Sequence, residues 1–232
     1  MNARHNRYSW GLVSLAFVIA SIPNFGATPL REENVIKNIE EAEINRQIDL
    51  SGYSVIEHYV LRNGRFQTGA ERTVSSTYIN GHGTSYRTLS QSGSAALQRS
   101  VLDRLIQEQA AMSGGDTRQR SMITSMNYKI KFLREEPLNG RLCVVLELVP
   151  RTKSIYLLKG LAWFDSENLT LLRIEGRPTA SPSFWAGRPM ITREYQMIDG
   201  FLVAKESHAV ADNFVLGKTE LTIDYSDYRI TK

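Results

Sequence analysis

The sequence predicts a β-rich (α+β) protein. Its core is a strongly curved antiparallel sheet, an incomplete β-barrel of about 10–11 strands, with two to three helices covering the concave face. Three observations carry this. Asn63-Gly64, Asn80-Gly81, Asn139-Gly140 and Asp199-Gly200 each fall between strand-like segments. Such pairs favour type I′ hairpin turns, which need positive φ at both central residues. The segments between them alternate apolar and polar residues with period two. Two amphipathic helical stretches interrupt the series.

The first helix is expected from Pro29 to Arg46, with Thr28 as N-cap and Pro29 at the first helical position. Val35, Ile36, Ile39 and Ala42 form its apolar stripe. Strands follow near 51–62, 70–79 and 84–91. The second helix is expected from Ser94 to Met112, with Leu97, Val101, Leu105 and Ile106 on one face and Gly114-Gly115 ending it. A short helical piece follows near 117–123. Seven further strands are expected near 126–135, 141–149, 154–164, 169–177, 189–198, 201–211 and 217–229. Tyr128, Ile130 and Phe132 alternate with Asn127, Lys129 and Lys131, and Leu221, Ile223 and Tyr225 alternate with Glu220, Thr222 and Asp224. This is the pattern of a sheet with one wet and one dry face. Strand 141–149 is apolar on both faces except at Glu147, so something must cover its second face. Many long antiparallel strands expose two edges unless the sheet curls, and two amphipathic helices then fit over the concave side.

Residues 1–27 read as a cleavable secretory signal, with the mature domain spanning 28–232. Arg4 and Arg7 precede an uncharged run, Gly11 to Ile22. As a helix that run is about 18 Å long, too short for a hydrocarbon core of about 30 Å. Pro23 ends it, and cleavage is expected near Ala27. No stable membrane span is expected in the mature form. Cys143 is the only cysteine, so neither an internal disulfide nor a lipid-attachment cysteine after the signal is expected. Cys143 reads as a small buried hydrophobe. Loss of the signal takes the formal net charge from +4 to +2. Lys and Arg are scattered, so nothing points to nucleic acid.

The order of elements resembles the LolA/LolB-type lipoprotein carriers, and most of all the set of outer-membrane lipoprotein-sorting proteins. The residues that carry this are YKIKFLREEPLNGRLCVVLELVPR (128–151), KGLAWFDSENLTLLRIEGRP (159–178), REYQMIDGFLVAKESHA (193–209) and LTIDYSDYRI (221–230). The resemblance covers roughly 28–232. It implies an incomplete barrel with helices as a lid over an apolar cavity. It also implies a periplasmic carrier of lipoprotein acyl chains or another lipid, working with envelope transport proteins in a chaperone-like role. The absence of an N-terminal cysteine argues against the lipid-anchored LolB type.

Carrying an acyl chain needs enclosure more than polar contacts. A chain of about 16 carbons costs on the order of 12 kcal/mol to expose to water. The expected lining comes from alternating strand positions: Tyr128, Ile130, Phe132, Leu142, Val144, Leu146, Trp163, Tyr195 and Met197. Leu97, Val101 and Leu105 of the second helix would close it. The loop 177–189 carries Phe184-Trp185, large aromatics that pack on the barrel rim, gate a ligand, or meet a membrane or partner. The alternative to a carrier is an envelope interaction module of the same fold with a packed interior and no ligand.

No catalytic, metal or cofactor site is predicted. His58, His82 and His208 lack metal-ligand spacing. Ser207 and His208 are strand neighbours that point to opposite faces, so they cannot form a nucleophile–base pair. No G-x-S-x-G elbow and no phosphate-cradling glycine loop is present.

Overall fold

A computed structural model describes residues 29–48, 50–65, 68–114, 119–181, 188–213 and 217–231. The proposed signal, Thr28, Phe184 and Trp185 lie outside the described residues.

Ten strands form one antiparallel sheet. They are β1 (Gly52–Asn63), β2 (Ala70–Ile79), β3 (Gly83–Gly93), β4 (Tyr128–Leu138), β5 (Arg141–Pro150), β6 (Leu158–Asp165), β7 (Leu171–Pro178), β8 (Met190–Ile198), β9 (Phe201–Asn213) and β10 (Gly217–Thr231). Their order is β3-β2-β1-β10-β9-β8-β7-β6-β5-β4, so β3 and β4 are the open edges of an incomplete barrel. Every neighbouring pair is consecutive in sequence except β1 and β10, which join the two halves from Gly52↔Thr231 to Asn63↔Thr219. The edges resist pairing with other chains. β3 is polar, and β4 carries Lys129, Lys131, Arg134, Glu135 and Pro137 with an irregularity between Phe132 and Arg134.

Two of the four predicted hairpin turns have the type I′ signature. Asn139 and Gly140 have φ of 51° and 81°, and Asp199 and Gly200 have 53° and 88°. At Asn80-Gly81 only Gly81 is left-handed, and His82 N donates to Ile79 O at 3.0 Å, as in a type II turn. Asn63-Gly64 makes no I′ turn. Gly64 N donates to Lys218 O at 2.9 Å instead, extending the β1–β10 ladder. The polar connection after β6 is an Asx turn, with Asp165 Oδ1 accepting from Glu167 N and Asn168 N.

The helices are α1 (Pro29–Ile48), α2 (Ala95–Leu97) and α3 (Asp103–Met112), with a π-helical segment, Gln98–Leu102, joining the last two. Ser94 caps α2 through its Oγ. The π segment moves the apolar stripe by one residue. Leu97 and Leu102 are the fully buried pair, spaced i, i+5, and the predicted Val101 is half-buried. Of the helical piece expected near 117–123, residue 119 is helical, 120–123 run on as turns and bends to 127, and 117–118 lie outside the described residues.

Two separate cores occupy the concave face. Under α1, Ile39 joins Tyr128, Val144, Leu146, Leu148, Phe164 and Ile174. Glu40 ties α1 down by accepting from the Ser125 N–H and hydroxyl. Under α2 and the π segment, Leu97 and Leu102 join Tyr59, Leu61, Val74, Leu221 and Ile223. Gly160 and Gly176 face each other across β6 and β7, where a Cβ on Gly160 would lie 1.9 Å from Glu175 O. Only glycine permits that approach.

The second face of β5 is covered on the convex side of the sheet. Cys143, Val145 and Trp163 form a small core there with Leu138, Leu161 and Leu172 beside them. Trp163 Nε1 donates to Glu136 Oε1 at 2.6 Å, and the Arg173 guanidinium lies 5.4 Å from the ring centre. Cys143 is fully buried, and burial pushes its thiol pKa up, which keeps it unreactive.

Candidate functional site

A cavity of about 450 Å³ lies on the concave face, lined by residues of both helix-covered regions. That is within the roughly 300–1,000 Å³ of small-molecule sites. Ile155, Leu158, Ile174, Ile191 and Leu202 give part of its wall an aliphatic character. Tyr128 stands at this side, its hydroxyl accepting from Leu158 N at 3.2 Å, and burial pushes its pKa up to about 12. Tyr53, Tyr78, Tyr86, Tyr225 and Tyr228 line the rest. Tyr53 makes tilted ring contacts with Tyr78 and Tyr228, with ring centres 5.3 Å and 5.9 Å apart.

The strand register lays a polar band across the tyrosine side. Directly paired residues in an antiparallel ladder point to the same face. Tyr86 pairs with Ser76, Glu57 with Tyr225, and Ser207 with Arg193. These residues come from β3, β2, β1, β10, β9 and β8, six adjacent strands. Ser76 Oγ donates to Glu57 Oε1 at 2.6 Å. Arg193 Nε donates to Ser207 Oγ at 2.8 Å, and Ser207 Oγ lies 3.4 Å from the Tyr225 hydroxyl. Arg193 is also hydrogen-bonded to Tyr195.

Glu57 is 5% exposed, and burial pushes its pKa up, against the hydrogen bonds from Ser76 and Tyr59 and the pull of Arg193. The Tyr59 hydroxyl contacts both Glu57 Oε2 and, at 2.7 Å, Gln109 Oε1 on α3. A hydroxyl has one hydrogen. A protonated Glu57 that donates to Tyr59 while Tyr59 donates to Gln109 satisfies both contacts. Burial raises the pKa values of Tyr86, Tyr225 and Tyr228 as well, so these hydroxyls stay protonated hydrogen-bonding groups.

Of the residues predicted to line a cavity, Tyr128 and Tyr195 do so. Ile130, Phe132, Val144 and Leu146 instead fill the core under α1, and Leu97, Val101 and Leu105 fill the core under the second helical region. Leu142 and Met197 are 51% and 42% exposed. Trp163 is on the convex face. Val145 pairs with Trp163, and Val144 with Phe164, so an inward Val144 forces Trp163 outward. The sequence reading missed Glu57 and Arg193. Each occupies an apolar parity: Glu57 between Val55 and Tyr59, and Arg193 between Ile191 and Tyr195. That interruption was the available signal.

Among the described residues, no group of three or more His, Cys, Asp or Glu is placed to hold a metal ion. No described helix is long and apolar enough to cross a membrane.

Comparison with known proteins places the fold. A LolA superfamily protein from Nitrosomonas europaea superposes with a TM-score of 0.51 at 12% identity, covering 85% of this chain and 94% of that one. A domain from Vibrio parahaemolyticus, described as an outer membrane lipoprotein-sorting protein domain, matches with a TM-score of 0.48 at 18% identity, covering 84% and 92%. No family model and no curated protein matches the sequence. The chain therefore has a LolA-like fold, and at these identities the likeness is one of fold.

Proposed function

We propose that this protein is an exported carrier that binds a lipophilic ligand in the concave cavity and ferries it through the periplasm. The observation that supports this most is the cavity itself. It has an aliphatic wall beside two filled cores. On this reading the protein binds and does not catalyse, residues 1–27 direct export, and cleavage leaves Thr28 first. Its partners are lipoprotein acyl chains or lipid, together with envelope proteins that load and unload it.

Native mass spectrometry of the protein purified from the periplasm tests the reading. A bound lipid, or saturable one-to-one binding of a fluorescent fatty-acid analogue after delipidation, is the expected result. Absence of both overturns it. A second reading, an interaction module without ligand, draws on the two filled cores, which take up most of the residues expected to line a cavity. A stoichiometric protein partner with no lipid would favour that reading. N-terminal sequencing of the exported form checks the cleavage site.

A further inference from the structure

Apolar enclosure alone does not require the polar band. A site for plain hydrocarbon gains nothing from a half-buried guanidinium, whose desolvation is costly unless an anion meets it. Arg193 lines the cavity and spends Nε on the neutral Ser207 hydroxyl. Among the described residues, no carboxylate lies within ion-pair distance of Arg193. Glu57, the acidic residue of the band, already has both oxygens engaged, by Ser76 and by Tyr59. The charge left for a ligand to meet is therefore positive. Tyr86, Tyr225 and Tyr228 surround that position with aromatic surface and hydroxyls.

We infer that the cavity takes an anionic amphiphile, with its carboxylate or phosphate headgroup on Arg193 among the tyrosines and its chain along the Ile174, Ile191 and Leu202 wall. This rests on the carrier reading and adds a polarity to it. The ligand enters with its head toward β8–β10 and its tail toward α1. Arginine suits the task because its planar fork meets both oxygens of a carboxylate or phosphate at once.

The test compares ligands of one chain length on the purified, delipidated protein: oleate, oleyl phosphate, oleyl alcohol, and inorganic phosphate without a chain. Oleate and oleyl phosphate are expected to bind about tenfold tighter than the alcohol, as a charge-assisted pair requires. Arg193→Gln is expected to bring them down to the alcohol, and Arg193→Lys to restore part of the difference. Equal binding of acid and alcohol by the unmutated protein overturns the headgroup site and leaves the carrier reading standing. No binding of any chain overturns both. Inorganic phosphate binding as tightly as oleyl phosphate overturns the amphiphile and leaves an anion site. The comparison in the unmutated protein decides the matter even if Arg193→Gln does not fold.

Discussion

Arg72 Nε donates to Gln98 Oε1 at 2.9 Å, a buried contact between β2 and the first residue of the π-helical segment. Gln98 Nε2 also donates to Glu71 O and Ser92 O, both at 2.8 Å. Arg72 completes the knot through Asp103 at 2.6 Å and Gln91 at 3.2 Å. One glutamine thus fastens the second helical region to β2 and β3. Gln98→Ala strands a buried guanidinium N–H and two carbonyls. A loss of about 3 kcal/mol is expected in urea unfolding.

Glu57→Gln separates the charge of Glu57 from its shape. Burial raises the folded-state pKa of Glu57 above the ordinary 4.5. The native state then holds its proton more tightly than the unfolded chain does. This stabilisation is complete below 4.5 and is lost as pH rises through the folded pKa. The melting temperature of Glu57→Gln should therefore gain on that of the unmutated protein as pH rises above 4.5. Parallel melting curves from pH 4 to pH 8 would contradict the assignment.

Trp163→Ala should lower stability by about 3–5 kcal/mol, because it uncovers Cys143 and Val145. It should leave binding of a fluorescent fatty-acid analogue unchanged, since the ring lies on the far face of the sheet from the cavity. Weakened binding at full folding would contradict that placement.

Ile191→Asp places a carboxylate in the aliphatic wall beside Arg193. Binding of the same analogue should weaken at least about tenfold, the effect of setting a charge against an apolar chain and a carboxylate beside Arg193. The melting temperature, measured in parallel, distinguishes this from unfolding.

Gly160→Ala should destabilise by at least about 2 kcal/mol. Its Cβ would lie 1.9 Å from Glu175 O and 2.5 Å from the Gly176 Cα, both backbone atoms. Chemical denaturation checks this.

Strand positions and sheet class were readable because the alternation is local and the turn pairs punctuate it. The site was not, because it depends on register. Nothing in VVLEL says which parity faces inward until Val144 is paired with Phe164. The irregularity after Phe132 then turns Arg134 and Glu136 onto the face of Val145 and Cys143. The π segment is equally silent in sequence, since its first residue, Gln98, bonds to carbonyls of β2 and β3 that only the fold brings beside it. Glu57 and Arg193 were visible only as charges on an apolar parity, and their meeting needed the pairing of β1 with β10.

That pairing has a kinetic consequence. Of the nine strand contacts in the sheet, eight join consecutive strands and one is long-range: β1 must wait for β10. Closing so long a loop is slow, and its entropy is spent before its contacts form. Glu57 and Tyr225 sit opposite one another on that seam. The cavity draws residues from both sides of the seam and is complete only once β10 docks; until then each half of the molecule is a meander with a bare edge. A chaperone or a translocation channel that holds the chain in that interval would guard the β1 and β10 edges above all others.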